Sequence, residues 1–216
     1  MKHLTLLLTI CFLPVLSGKE VNNDDLIERN GLWYEKFTSV PFTGSVYTEY
    51  TKGKRVKNGE LVDGLKEGLW EDYLENGQLT SKGSYKDGRA VGPWETYYEN
   101  GQLNEKGSYK DGERDGLFEF YHKDGKLSSK KTYKDGEFDG SFDSYYKNGQ
   151  LVLKGSYKDG FRNGPWEDYW NHGQLISKGS YKNGLEDGLW EEYDENGKLS
   201  SKKTYIDDKL ISEENF

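Results

Sequence analysis

From residue 65 onward, large apolar side chains recur at every second position in short runs, and each run ends at a cluster of polar residues and glycine. In the run beginning at Leu65, Trp70 and Leu74 fall on one face while Leu69, Glu71 and Tyr73 fall on the other. In the run that follows, Leu79, Gly83 and Tyr85 join the tryptophan face and Lys82 joins the glutamate face. A period of two is the mark of a half-buried strand, because successive side chains of extended backbone point to opposite sides. The pattern predicts strands with one apolar, aromatic face and one face that mixes charge with tyrosine. Asn76-Gly77 separates the two runs and suits a type I′ hairpin, in which both central residues take positive φ. Of the equivalent turns, His172-Gly173 is the weakest on this reading, since histidine tolerates positive φ less readily than asparagine.

A two-residue turn at Asn76-Gly77 fixes a register: Glu75 opposite Gln78, Leu74 opposite Leu79, Glu71 opposite Lys82 and Trp70 opposite Gly83. The acid–lysine pair recurs as Glu95/Lys106, Glu119/Lys130, Asp143/Lys154, Glu167/Lys178 and Glu191/Lys202. Opposite charges abreast on every hairpin favour this register over a slipped one. It also predicts that the rings of Trp70, Trp94, Phe142 and Trp166 cover Gly83, Gly107, Gly155 and Gly179 of their own hairpins. In the remaining two hairpins the stems of Lys131 and Lys203 would lie across Phe118 and Trp190.

The whole pattern repeats every 24 residues, without insertion, for six copies. Gly68-Leu69-Trp70 returns as Gly92-Pro93-Trp94, Gly116-Leu117-Phe118, Gly140-Ser141-Phe142, Gly164-Pro165-Trp166 and Gly188-Leu189-Trp190. A period of this size implies an array in which each unit contacts its neighbours, so function is to be sought in a repeated surface. The expected fold class is all-β, an elongated single-layer antiparallel meander of tandem β-hairpin repeats. Lys86-Asp87-Gly88 and its equivalents connect successive hairpins. Twelve strands at roughly 4.8 Å each give an open ribbon on the order of 60 Å long, preferred here to a closed barrel.

Residues 1–18 carry Lys2 and His3, an apolar stretch from Leu4 to Leu16, and small residues at Ser17 and Gly18. This reads as a signal peptide and implies an exported, periplasmic or extracellular protein. Residues 19–64 are expected to hold a polar leader and degenerate N-terminal repeats, 65–205 the six regular repeats, and 206–216 a charged C-terminal cap or tail that discourages edge-to-edge pairing. The one cysteine, Cys11, falls inside the signal segment, so the mature chain would have no disulfide.

Composition narrows the class further. Hydrophobic residues make up only 33%, which cannot fill a thick core, yet aromatics reach 15%, unlike a disordered chain. The net charge of −8 and the lack of any long basic run argue against nucleic acid or an anionic bilayer as the main partner.

The unit Gly-x-Trp-x-x-Tyr-x-x-Asn-Gly-Gln-Leu-x-x-x-Gly-x-Tyr-x-x-Gly, as in Gly92 to Gly112, resembles the MORN repeat, specifically the bacterial variant found in YwqK-type antitoxins. The resemblance covers residues 30–205 and includes Trp33-Tyr34 and Pro41-Phe42-Thr43-Gly44. It implies hairpin arrays that serve as scaffolds with protein partners and, in some eukaryotic members, phospholipid headgroups. For the bacterial variant it implies an antitoxin role, which an exported chain could exercise only on a toxin met outside the cytoplasm.

The residues offer no catalytic constellation, so no enzyme, cofactor or metal is expected. Outside the signal segment only His122 and His172 are available, and repeat drift accounts for both. The recurrent Asp-Gly pairs read as turns rather than calcium loops, which need several oxygen ligands in one segment. Tyr73, Tyr97, Tyr121, Tyr145, Tyr169 and Tyr193 form a ladder on the charged face and are the candidate binding residues, since tyrosine offers both a ring and a hydroxyl. The expected partner is a protein, and a cell-envelope polysaccharide is the alternative.

Overall fold

The computed structural model describes residues 18–50 and 53–216, so the signal segment, apart from Gly18, lies outside the described residues. The six repeats form six consecutive antiparallel hairpins. Unit 1 pairs Leu65–Tyr73 with Leu79–Lys86, and unit 2 pairs Arg89–Tyr97 with Leu103–Lys110. Unit 3 pairs Gly116–Tyr121 with Leu127–Lys134, and unit 4 pairs Glu137–Tyr145 with Leu151–Lys158. Unit 5 pairs Gly164–Tyr169 with Leu175–Lys182, and unit 6 pairs Gly188–Tyr193 with Leu199–Ile206. Each second strand also pairs with the first strand of the next unit, giving one continuous elongated meander.

The two ends of the ribbon use different turns. Asp87 and Gly88 have φ of 49° and 75°, and Lys86 pairs with Arg89, so this two-residue connection is the type I′ turn. The Asn-Gly turn is of another kind. Gly77 alone is left-handed (φ 87°), its N–H donates to Leu74 O, and the Leu74 N–H donates to Gln78 O. That is a three-residue loop, a type I turn closed by a left-handed glycine. Leu74 therefore faces Gln78, and Tyr73 faces Leu79, in place of the expected pairs. A bulge at Thr80 then adds one residue and restores the expected pairs Glu71/Lys82 and Trp70/Gly83. Because directly opposed residues share a face, the bulge moves Leu79 to the tyrosine side. His172 is spared strain for the same reason, since only Gly173 (φ 90°) is left-handed in its turn.

The rings do not cover the glycines of their own hairpins. A Cβ built on Gly83 would lie 1.9 Å from the ring of Trp94, not Trp70, and the same holds for Gly107 under Phe118, Gly155 under Trp166 and Gly179 under Trp190. Trp70 lies in the same way over Gly59, in the strand before unit 1. Every ring thus leans onto the preceding strand, where the indole N–H of Trp70 and of Trp166 finds an acceptor in Glu60 O and Ser156 O. Lys131 obeys this rule too. Its ammonium sits 5.4 Å from the Phe142 centroid in the next unit, whereas Lys203, opposite Glu213 rather than a ring on the following strand, bonds Glu192.

Between these rings stand Tyr85, Tyr109, Tyr133, Tyr157 and Tyr181. Edge-on contacts run from Tyr85 to Tyr133: Tyr85–Trp94 at 5.3 Å, Trp94–Tyr109 at 5.5 Å, Tyr109–Phe118 at 5.5 Å and Phe118–Tyr133 at 5.2 Å. Phe138 bridges Tyr133 and Tyr157 at 4.8 and 5.1 Å, and the row continues through Trp166 and Tyr181 to Trp190. Phe118, Trp166 and Trp190 are buried although only one sheet supports them.

Gly44–Glu49 and Arg55–Val62 extend the sheet before unit 1, and Glu20–Asn22 pairs in parallel with Gly44–Glu49 along its outer edge. A separate hairpin, Leu26–Arg29 with Leu32–Glu35, packs nearby. Val21 and Leu26, read from sequence as part of a polar leader, are buried with Phe42, Val46, Leu61 and Trp70. Lys66 ties this cap to the array: its ammonium lies 4.3 Å from the Trp70 centroid and 6.0 Å from that of Trp33, and burial lowers its pKa. At the other end, Lys209–Asn215 pairs with Leu199–Ile206 through a bulge, with all of its residues exposed.

A packed ring over glycine makes a sharp prediction. Alanine normally stabilises a strand relative to glycine, but a Cβ on Gly155 would stand 2.3 Å from Trp166. Gly155→Ala should therefore lower stability, by about 1–3 kcal/mol as for other overpacked sites, read as a reduced urea midpoint; an unchanged or raised midpoint would refute the packing described here.

Candidate functional site

The opposite face carries three parallel rows, each set by one strand position. The middle row is charged. Cross-strand pairing places Glu71, Lys82, Glu95, Lys106, Glu119 and Lys130 side by side in that order. It continues through Asp143, Lys154, Glu167, Lys178, Glu191 and Lys202 to Glu214. The sequence reading had the pairs within hairpins but not the pairs between them, which make the alternation continuous. Like charges never stand abreast in this row, and each unit's addition preserves the pattern.

The ion pairs are less regular than the register. Glu71–Lys82 (3.9 Å), Glu119–Lys130 (3.0 Å) and Glu191–Lys202 (3.2 Å) close within hairpins as expected. Lys106 and Lys178 turn away from Glu95 and Glu167 to reach Glu119 (2.7 Å) and Glu191 (2.8 Å) of the following units. Two carboxylates thus collect two ammonium groups each. Hydrogen bonds from Lys106 and Lys178, foremost among the causes, hold the carboxyls of Glu119 and Glu191 down at about 2. Among the described residues Glu95 and Glu167 enter no ion pair.

The second row is the tyrosine ladder. Tyr73, Tyr97, Tyr121, Tyr145, Tyr169 and Tyr193 occupy one equivalent position per unit, each opposite a leucine of its own hairpin. The structure gives their hydroxyls a local task. Tyr73 donates to Glu71 (2.6 Å), Tyr121 to Glu119 (2.8 Å), Tyr169 to Glu167 (2.5 Å) and Tyr193 to Glu191 (2.9 Å), while Tyr97 donates to Glu95. Burial, and then the hydrogen bond to the carboxylate, push the Tyr97 and Tyr169 phenols up to about 12. All six tyrosines are half-buried.

The third row was not singled out in the sequence. Leu69, Pro93, Leu117, Ser141, Pro165 and Leu189 stand two residues before the acids, and Leu69, Leu117 and Leu189 are about half exposed. Between neighbouring members lie small side chains such as Ser108 and Ser180, which leave hollows. One of 380 Å³ opens between Pro93 and Leu117, and one of 350 Å³ between Pro165 and Leu189. Others of 320 and 250 Å³ lie beside Pro165 and between Leu69 and Pro93. The missed signal was the variable residue within Gly-x-Trp, which is apolar in five of six copies.

The sequence model described as the MORN repeat variant matches residues 66–87, 90–111, 114–135, 138–159, 162–183 and 186–207. The chain belongs to the MORN repeat variant family. Repeats of this kind are commonly protein- or membrane-binding modules. No curated protein matches the chain.

His122 and His172 sit at hairpin ends, where the His122 N–H bonds Lys126 O and the His172 ring bonds Gln174 (2.9 Å). Among the described residues no group of three or more His, Cys, Asp and Glu side chains is placed to hold a metal ion.

The doubly paired glutamates imply an acid limb in stability. Their folded pKa is depressed, so their contribution is present above the unfolded value of about 4.3 and disappears as pH falls through about 2. In Glu119→Gln/Glu191→Gln the loss of urea midpoint between about pH 4.5 and pH 2 should be shallower than in the unsubstituted chain at low salt. Identical acid limbs would show that the paired geometry is not maintained in solution.

Proposed function

We propose that this chain is a non-enzymatic, exported scaffold whose repeated charged face binds another protein. The observation that carries this reading is the continuity of that face: apolar, charged and tyrosine rows run in register across six hairpins, with shallow hollows in place of one deep cleft. Such a surface suits an extended partner contacting several equivalent points, as repeat arrays generally do. Its alternating charges and half-exposed leucines supply the mixture of polar and apolar contact found at protein interfaces. The cationic, apolar and small-residue order of residues 1–18 supports export. A narrower version, neutralisation of a toxin met outside the cytoplasm, follows from the likeness to YwqK-type antitoxins.

The chain lacking residues 1–18, immobilised and exposed to envelope extract, should retain a protein partner, and Leu117→Ala/Leu189→Ala should reduce that retention severalfold. No protein retained, together with strong retention on insoluble envelope polysaccharide that Tyr97→Ala/Tyr145→Ala abolishes, would replace this reading with glycan binding.

A further inference from the structure

The 24-residue units are not all alike, and their differences repeat with a longer period. Gly92-Pro93-Trp94-Glu95 returns three units later as Gly164-Pro165-Trp166-Glu167, and the nine residues Gly125 to Tyr133 return unchanged as Gly197 to Tyr205. The face therefore presents one arrangement twice. In each, a proline and a half-exposed leucine face one another across a serine, with a glutamate, a lysine and a second glutamate along one side. The charge on that side is unbalanced in the same way both times. Lys106 is committed to Glu119 at 2.7 Å and Lys178 to Glu191 at 2.8 Å, so that Glu95 and Glu167, although flanked by lysines in the row, enter no ion pair among the described residues. Each of these accepts one hydrogen bond through Oε2, from Tyr97 or Tyr169, so its orientation is fixed while Oε1 is left open to a donor.

We propose that the two hollows, Pro93–Leu117 with Glu95 and Pro165–Leu189 with Glu167, are a matched pair of sockets for arginine side chains of a protein partner. This rests on the protein-binding reading above and specifies the partner's chemistry. Arginine unites the two properties the hollow asks for. Its three-carbon stem lies along apolar surface, and its guanidinium forms strong charge-assisted bonds to a carboxylate. The lining carries one more acid than base, and the whole chain carries a net charge of −8, so a cationic partner is complementary both locally and at a distance. An acidic or neutral ligand would leave Glu95 and Glu167 without an ion-pair partner beside apolar surface. The two sockets are six strands apart, roughly 29 Å along the sheet by strand spacing. A segment with two suitably spaced arginines could therefore engage both and gain affinity from the second contact.

The probe is the capped peptide acetyl-Pro-Leu-Arg-Leu-Pro-amide, titrated into the full folded chain and followed by NMR, with a citrulline analogue as the neutral isostere. Saturation at two equivalents is expected, with the largest shifts at Glu95, Leu117, Glu167 and Leu189, and binding about tenfold weaker for citrulline. Glu95→Gln should remove one equivalent and Glu95→Gln/Glu167→Gln both, with unchanged backbone spectra elsewhere. Absence of saturable binding, shifts confined to other surfaces, or equal binding of the citrulline peptide would overturn the proposal. The envelope capture repeated with Glu95→Gln/Glu167→Gln separates the two readings. A partner held equally well by this variant would sink the sockets and leave protein binding standing. Peptide binding at the sockets without a captured partner would keep the sockets and remove the broader reading.

Discussion

The structure depends on one contact made over and over: an aromatic ring lying flat on the glycine of the strand before it. A single sheet has no second layer to bury its apolar face, so burial must be achieved within that face. Glycine at 83, 107, 155 and 179 supplies the room, and the ring above it closes the space so tightly that no Cβ fits. The tyrosines between the rings complete the row through edge-on contacts, the geometry that aromatic quadrupoles favour. This is how Phe118 and Trp166 are nearly removed from water in a chain that is only one-third hydrophobic.

That contact always points from one unit to the unit before it, so the array has a direction. The first ring, Trp70, needs a glycine from outside the regular repeats and finds it in Gly59, which is why an irregular N-terminal strand belongs to the fold. The last second strand has no ring to receive, and there Lys203 takes an ion pair with Glu192 instead. The charged row has the same property on the opposite face. Lys106 and Lys178 reach forward to Glu119 and Glu191, so hairpins are coupled through both faces at once. Coupling of this kind makes stability a sum over neighbouring units rather than a property of one centre.

Much of this was legible in the sequence, and the failures share a cause. Period, strand positions and the Glu71/Lys82 register were readable because alternation and spacing are properties of one unit alone. The direction in which Trp94 leans was not, because its strand has a glycine neighbour on each side, Gly83 and Gly107, and only the three-dimensional packing distinguishes them. The turn at Asn76-Gly77 misled for a related reason. A three-residue loop plus a bulge at Thr80 yields the same distant pairs as a two-residue turn, so the charge pairs could not tell the two apart. The tyrosine ladder was placed correctly on its face, but the bonds from hydroxyl to neighbouring acid were hidden, since alternation sets the face of Tyr73 and Glu71 and not which partner a side chain turns to.

Repetition also explains why this face can carry specificity. Identical units would produce a uniform surface with no preferred position for a partner. The tight constraints fall on the aromatic side, where rings and glycines must match, and there the units vary little. The charged side tolerates leucine, proline or serine before the acid, because that residue projects into solvent. Variation at this position leaves the packing undisturbed, and the three-unit recurrence of Pro93-Trp94-Glu95 as Pro165-Trp166-Glu167 turns it into a spaced pattern. The aromatic face fixes where each strand lies, and the opposite face is free to differ at regular intervals without disturbing it.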